Sequence, residues 1–419
     1  MFKLPKSGFI RNTTTLLTGN VISQLVAFLI IPIIANKYTP AQFGYLALFM
    51  SFVTLLRIVS TARYDYAIII ADSQNEANAL LRLATKINAL FSTGLLAFIF
   101  LGKLLFPQLS YFQELGWFVY LIPFMVFLAG FCTSCSYYLN KKKEYSAMAR
   151  ADVSISVSIS GLKLGFGFVR LTEIGLILAS FIGQLVGSVY YFIKVGRSSF
   201  RRNELSLKTI AKKHSNFPLY ILPKELIHNF SSRLPFLLLV VYFGSELLGY
   251  YSMATMLLLT PLGLIVTALT RVLYQRFADN VKNRETIIPF YKKYMSRIIL
   301  CAVPAFILLF FLIKPAFSLL FADNWSNSIV YIQIIIPWML IYFIASPFDF
   351  VPNIFGKQQK AVLFDIIYFV LCLTGLCIGI YFESFQLAII LFSTAGIINF
   401  TFLLFWYSGL LLKYEKERV

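Results

Sequence analysis

The sequence has little of what a soluble enzyme uses. Charged residues fill only 13% of its 419 positions, histidine occurs twice, and the longest hydrophilic stretch runs only from Arg197 to Phe217. A stretch that short cannot bury a core of its own, which excludes a catalytic domain outside a membrane. No Gly-x-x-x-x-Gly-Lys-Ser/Thr sequence is present, so a phosphate-cradling loop for ATP is missing. The five cysteines, Cys132, Cys135, Cys301, Cys372 and Cys377, all fall within apolar runs. Cys132 and Cys135 have a redox-like spacing, but without a second pair or a histidine they read as small apolar packing. No metal, cofactor or enzymatic chemistry is expected of this chain. Acids are scarce too, with 18 Asp and Glu against 37 Lys and Arg.

Apolar residues are what the chain has in excess: 59% of positions, with a mean hydropathy of +0.77. Twelve runs long enough to cross a bilayer recur between Thr13 and Leu412, so the expected fold is an all-α polytopic membrane protein. The first run, Thr13 to Asn36, is too long for the core of a signal peptide and lacks a small-residue cleavage site, so it is kept as a span. In a soluble chain a net charge of +19 would suggest nucleic acid. Here its placement matters more. With the N-terminus inside, Lys141, Lys142, Lys143, Arg150, Lys212, Lys213, Lys292, Lys293, Lys357 and Lys360 all lie on the cytoplasmic side. Lys37, Lys103, Arg170 and Lys314 remain outside. That asymmetry predicts cytoplasmic termini and makes the lipid bilayer, not nucleic acid, the partner.

Charges inside the spans single out candidate residues, because a cation at the centre of a membrane helix costs about 2.5–3.5 kcal/mol and usually faces water or a partner. The seventh run, Leu219 to Phe243, carries Lys224, Glu225, His228 and Arg233. Glu225, Asn229 and Arg233 recur every fourth residue, with Lys224 and His228 on the adjoining stripe, which predicts one wet face. Alternatively Lys224 and Glu225 snorkel to the cytoplasmic surface and only Arg233 is deep. Arg57, about 9 Å from the end of the second span, allows both readings. Lys163 lies about 16 Å inside the fifth span, too deep for easy escape. That span, Asp152 to Val169, places Asp152, Ser156, Ser160 and Lys163 on a lumen-facing stripe and Ser154, Ser158, Gly161 and Gly165 on a stripe suited to helix contact. Gly183 and Gly187 in the sixth span have a common packing spacing. Asn20 and Gln24 sit one turn apart in the first span. Asp349 and Asp365, beside Lys357 and Lys360, read as surface pairing rather than proton relay.

The halves repeat. Tyr38-Thr39-Pro40-Ala41-Gln42-Phe43-Gly44-Tyr45 aligns without gaps to Phe243-Gly244-Ser245-Glu246-Leu247-Leu248-Gly249-Tyr250, and the same offset sets Asn20 against Glu225 and Gln24 against Asn229. The expected organisation is a six-helix lobe (1–196), a cytoplasmic amphipathic linker (197–217) and a second six-helix lobe (218–419), related by a parallel repeat with the substrate site at its interface. In the linker, Leu205, Leu207, Ile210 and Ala211 alternate with Lys208, Lys212 and Lys213, which suits a helix lying on the anionic inner leaflet or a plain connection between halves.

Gly44-Tyr45-Leu46, the segment Arg63-Tyr64-Asp65-Tyr66-Ala67-Ile68-Ile69 and the connection ending at Leu80-Leu81-Arg82 resemble Wzx-type polysaccharide flippases. These O-antigen or capsule repeat-unit flippases belong to the MOP superfamily, which also holds the lipid II flippase and the MATE drug exporters. The resemblance implies a V-shaped pair of lobes in the bacterial inner membrane. It implies an undecaprenyl-pyrophosphate-linked oligosaccharide as cargo moved by alternating access, a polysaccharide polymerase machinery as partner, and, in some relatives, coupling to an ion gradient. Arg233, Lys163, Lys224 and Arg57 are then the candidate cations of the lumen. Glu225, His228, Asn229, Asn20 and Gln24 are its candidate polar and proton-carrying groups, although Glu225 and His228 can equally be a pair that only shapes the seventh span. A MATE-like drug or cation antiporter is the competing reading, but it needs acids at depth, which the first six spans lack. A membrane polymerase or glycosyltransferase needs outer loops with carboxylates or His, and the outer loops are short and poor in both.

Overall fold

The computed structural model describes residues 24, 28–201, 205–282 and 286–416, and within them the chain is helices joined by turns. It forms two compact units, Met1–Phe230 and Ser231–Val419. The first contains α1 (28–35), α2 (Pro40–Ser60), α3 (Tyr64–Ile70), α4 (Gln74–Leu105), α5 (Ser110–Leu115), α6 (Leu121–Lys141), α7 (Tyr145–Phe168), α8 (Thr172–Val195), α9 (Leu207–Lys213) and the start of α10 (Leu222–Lys282). The second holds the rest of α10 with α11 (Ile288–Leu320), α12 (Ser328–Ala345), α13 (Val351–Ile354), α14 (Gln358–Tyr381) and α15 (Phe385–Lys416).

Nine helices among the described residues are long and apolar enough to cross a membrane. Their outer faces carry bare hydrocarbon: Phe98 is 72% exposed, Leu300 73% and Leu319 84%. An aqueous surface does not tolerate apolar area on that scale, and a bilayer does. The protein is a multi-pass membrane protein.

Local chemistry explains where the helices begin and break. α2 starts at a reciprocal cap in which Thr39 Oγ1 accepts from Gln42 N–H, Gln42 Oε1 accepts from Thr39 N–H, and Pro40 supplies a preset φ. At the position aligned with Thr39, Gly244 interrupts α10 with φ 79° and ψ 174°, a conformation open to glycine. The seventh and eighth predicted spans separate there.

Three expectations are revised. The segment from Tyr64 to Arg82, expected as a connection, is largely helical: Ser73 caps α4, accepting from Glu76 N–H, and Glu76 and Arg82 are buried. At Gly161 and Gly165 the small-residue stripe of α7 makes no close helix contact, since a Cβ at either would meet open space. The tight packing comes from α8, where a Cβ at Gly183 would overlap Ile159 and one at Gly187 would overlap Ile155. Helix α9 does not offer its apolar face to lipid: Leu207, Ile210 and Ala211 pack into the protein core with Leu80, Tyr138 and Met148, leaving Lys208 and Lys212 exposed. The compact units divide after Phe230, inside the seventh predicted span. The first turns of α10 are tied to the first unit by Glu225, which pairs with Arg63.

In the second unit α14 and α12 pack on α15. A Cβ at Gly379 would overlap the Ala388 backbone and one at Gly396 the Trp338 indole, so these glycines set how closely the helices approach. A ring cluster closes one end: Phe277 lies 5.2 Å from Phe290 and 5.3 Å from Phe350, and Tyr291 lies 4.9 Å from Phe348.

Candidate functional site

The turn between α2 and α3 gathers one charged cluster of the first unit. Ala62 (φ 46°) and Arg63 (φ 59°) are both left-handed without being glycine, which costs about 1–2 kcal/mol for each residue. The turn throws the Arg63 side chain inward, where Arg63 is only 4% exposed. Its Nη2 donates to Glu225 Oε2 at 3.1 Å, its Nη1 lies 3.9 Å from Asp65 Oδ2, and its Cζ stands 4.8 Å from the centre of the Tyr66 ring. Thr61 Oγ1 donates to Asp65 Oδ1 at 3.1 Å. Asn229, one turn along α10, donates from Nδ2 to the backbone oxygen of Glu225 at 2.8 Å and to its Oε2 at 3.3 Å. Glu225 is thus fixed by two donors, one of them buried and charged.

Arg57, two turns back along α2, is treated differently. Its Nη1 donates to Thr133 Oγ1 of α6 at 2.9 Å, and Thr133 in turn donates to Ala129 O. Among the described residues no carboxylate reaches ion-pair distance of Arg57, although Arg63 and Asp65 act on it electrostatically. A hydroxyl fixes the direction of a guanidinium without neutralising it.

A second cluster pins α9 to the start of α4. Glu76 Oε1 accepts from Lys213 Nζ at 2.6 Å and lies 2.8 Å from His214 Nε2, while Lys213 also donates to Asp72 at 2.7 Å. The hydrogen bonds to Asp72 and Glu76 push the Lys213 ammonium pKa up from its ordinary value. Nearby, the Tyr138 hydroxyl lies between Asn78 Oδ1 at 2.6 Å and Ser199 Oγ at 2.9 Å and accepts from Gln74 Nε2 at 2.7 Å. This cluster is a fastening between linker and bundle.

The predicted site residues divide accordingly. Glu225 and Asn229 join Arg63, and Arg57 lies on the same side of the first unit. Lys163 is half-buried on α7, its backbone oxygen accepting from the Tyr38 hydroxyl at 2.7 Å, and no described carboxylate is within ion-pair distance of its ammonium. Lys224 and His228 are exposed on α10, and Gln24 is exposed as well. Arg233 belongs to the second unit, half-buried, with its Cζ 5.9 Å from the Phe236 ring centre. Asn20 lies outside the described residues. Sequence reasoning passed over Arg63 and Asp65 as loop charges. The available signal was an Arg-Tyr-Asp triplet at a tight helix–helix turn that contains no glycine. Among the described residues no group of three or more His, Cys, Asp or Glu side chains is placed to hold a metal ion.

The fold is shared with solved transporters at low sequence identity. An inward-facing multidrug resistance MATE family transporter of the MOP superfamily superposes with a TM-score of 0.72 at 12% identity, covering 96% of this chain and 99% of that one. The lipid II flippase MurJ, in an inward closed conformation, gives 0.67 at 16% identity over 95% of this chain and 89% of its own. A MOP superfamily transporter from Pyrococcus furiosus gives 0.65 at 11% identity over 96% and 95%. Comparison with curated protein sequences gives no significant match. The family model described as polysaccharide biosynthesis protein matches residues 33–330, from the end of α1 into α12, and the chain belongs to that family.

Proposed function

We propose that the protein is a flippase that carries an undecaprenyl-pyrophosphate-linked oligosaccharide repeat unit across the bacterial inner membrane by alternating access. The observation that carries this reading is the state of Arg57: a guanidinium half-buried within a membrane helix, aimed by the Thr133 hydroxyl and left without a carboxylate partner among the described residues. A transporter for cationic drugs would be hindered by such a charge, whereas a pyrophosphate is drawn to it. Lys163, Lys224 and Arg233 complete a proposed set of lumen cations, and membership of a polysaccharide biosynthesis family supports a saccharide cargo. Dispersed cations suit a carrier that must also release its load.

The proposed topology has twelve spans in two six-helix lobes with both termini cytoplasmic. It takes the nine apolar helices, counts the one interrupted at Gly244 as two, and adds α7 and the run from Thr13 to Asn36. If a proton gradient drives transport, Glu225 and His228 are the titratable candidates on α10. The polymerase machinery that consumes the exported repeat unit is the proposed protein partner. The test is deletion of the gene: surface polysaccharide should be lost and lipid-linked repeat units should accumulate, protected from reagents added outside. Intact surface polysaccharide combined with raised sensitivity to cationic drugs would replace this reading with the exporter one.

A further inference from the structure

The Arg63 turn is built at a cost that packing alone does not explain. Two successive left-handed residues, neither of them glycine, hold a guanidinium in a buried position. Yet that guanidinium is only partly used. Nη2 and Nε form one edge of the planar group, the edge that grips a carboxylate or phosphate with two parallel bonds. Here Nη2 donates to Glu225, while Nε is buried and finds no acceptor among the described residues. Asp65 Oδ2 is likewise buried without a hydrogen-bond donor and stands 3.9 Å from Nη1, beyond hydrogen-bond reach. Glu225, by contrast, has a side chain 32% exposed, so the carboxylate that occupies Arg63 is at the open side of the cluster.

We infer that Arg63 is a further substrate-binding residue, whose buried guanidinium exchanges the Glu225 carboxylate for the pyrophosphate of the incoming lipid. The inference rests on the flippase reading above and deepens it by assigning the residue that first receives the headgroup. With Glu225 in place, Arg63 is paired by Glu225 beside Asp65, while Arg57 has only the Thr133 hydroxyl. Once Glu225 swings away, two cations face one carboxylate, and the excess positive charge suits an anion. The pyrophosphate takes both Nη2 and Nε, satisfying the donor that Glu225 leaves unused. Asn229 still holds the displaced carboxylate through its amide, so Glu225 remains at hand to reclaim Arg63 and release the cargo. No covalent bond changes in this exchange.

The test is a titration of the purified full-length protein in detergent with farnesyl pyrophosphate and, separately, with inorganic pyrophosphate, which distinguishes a lipid headgroup from a free anion. Glu225→Gln replaces a charged competitor with a weaker, neutral one, and affinity for farnesyl pyrophosphate should rise about tenfold. Arg63→Gln should lower it by at least about tenfold, and Arg63→Lys should recover part of the loss. The double variant Arg63→Gln, Glu225→Gln keeps a neutral hydrogen-bonded pair in the turn, preserves the melting temperature and should still bind weakly. The inference is overturned if a folded Arg63→Gln or the double variant binds as the wild type does, or if Glu225→Gln leaves affinity unchanged. Wild-type protein that exports lipid-linked saccharide but binds no pyrophosphate would overturn the exchange alone. Failure of both export and binding would remove the flippase reading with it. Equal binding of inorganic and farnesyl pyrophosphate would keep Arg63 as an anion site but contradict its role as receiver of a lipid headgroup.

Discussion

The Arg63 turn of the first unit and the Phe277 ring cluster of the second close their helices by opposite means. Around Phe277 the contacts are aromatic edges and faces, non-directional in charge and complete in themselves. Around Arg63 they are charges and hydroxyls, with a guanidinium edge half used and a left-handed backbone holding it there. A ring cluster can only stabilise. A partly satisfied charge cluster gives up stability and keeps the capacity to bind, so the proposed binding role falls on the polar turn and not on the rings.

That contrast can be broken from either side. The largest effect is expected at the proposed lumen cations: Arg233→Glu should abolish export with normal membrane insertion, Arg233→Ala should impair it, and Arg233→Lys should retain part, read as surface polysaccharide in a complemented deletion strain. Next is Phe277→Ala. Phe277 is fully buried, so truncation should cost about 3–5 kcal/mol of stability, seen as a lowered thermal midpoint in detergent, while any folded protein still exports. Glu76→Ala, which strips buried His214 of its carboxylate and Lys213 of one of its two, should cost about 1–3 kcal/mol and loosen α9, measured as faster proteolysis near Lys212. Smallest is Glu415→Ala. Glu415 Oε1 accepts from the backbone N–H groups of Ile287 and Ile288 at the start of α11, and losing that cap should cost about 1 kcal/mol by the same melt. Loss of export in folded Phe277→Ala would erase the division between scaffold and site.

Much of this was legible in the sequence because bilayer thickness imposes a length on apolar runs that no tertiary contact can hide. Thr39, which caps α2, and Gly244, which interrupts α10, occupy aligned positions of the gapless repeat, although the alignment alone did not tell the cap from the break. The i to i+4 spacing of Glu225 and Asn229 anticipated a contact that the helix makes. What stayed hidden depends on the third dimension. The sequence offered both glycine pairs as helix contacts without ranking them, and the tight contacts lie at Gly183 and Gly187, not at Gly161 and Gly165. The amphipathic pattern of α9 was real, but a protein core and a lipid surface ask for the same pattern, and the core took it. Arg63 escaped notice because a charge at the end of a span ordinarily snorkels, and only the left-handed turn directs this one inward.

The central claim is that the cations within the membrane helices receive a pyrophosphate-linked saccharide and carry it across. Its most direct test is translocation of fluorescent undecaprenyl-pyrophosphate-linked oligosaccharide in proteoliposomes containing the purified protein, scored by the fraction protected from an external quencher. The wild type should move the lipid, and Arg57→Ala and Lys163→Ala should each slow it severely while inserting normally. Translocation at wild-type rate by both variants, or none by the wild type, would contradict the account.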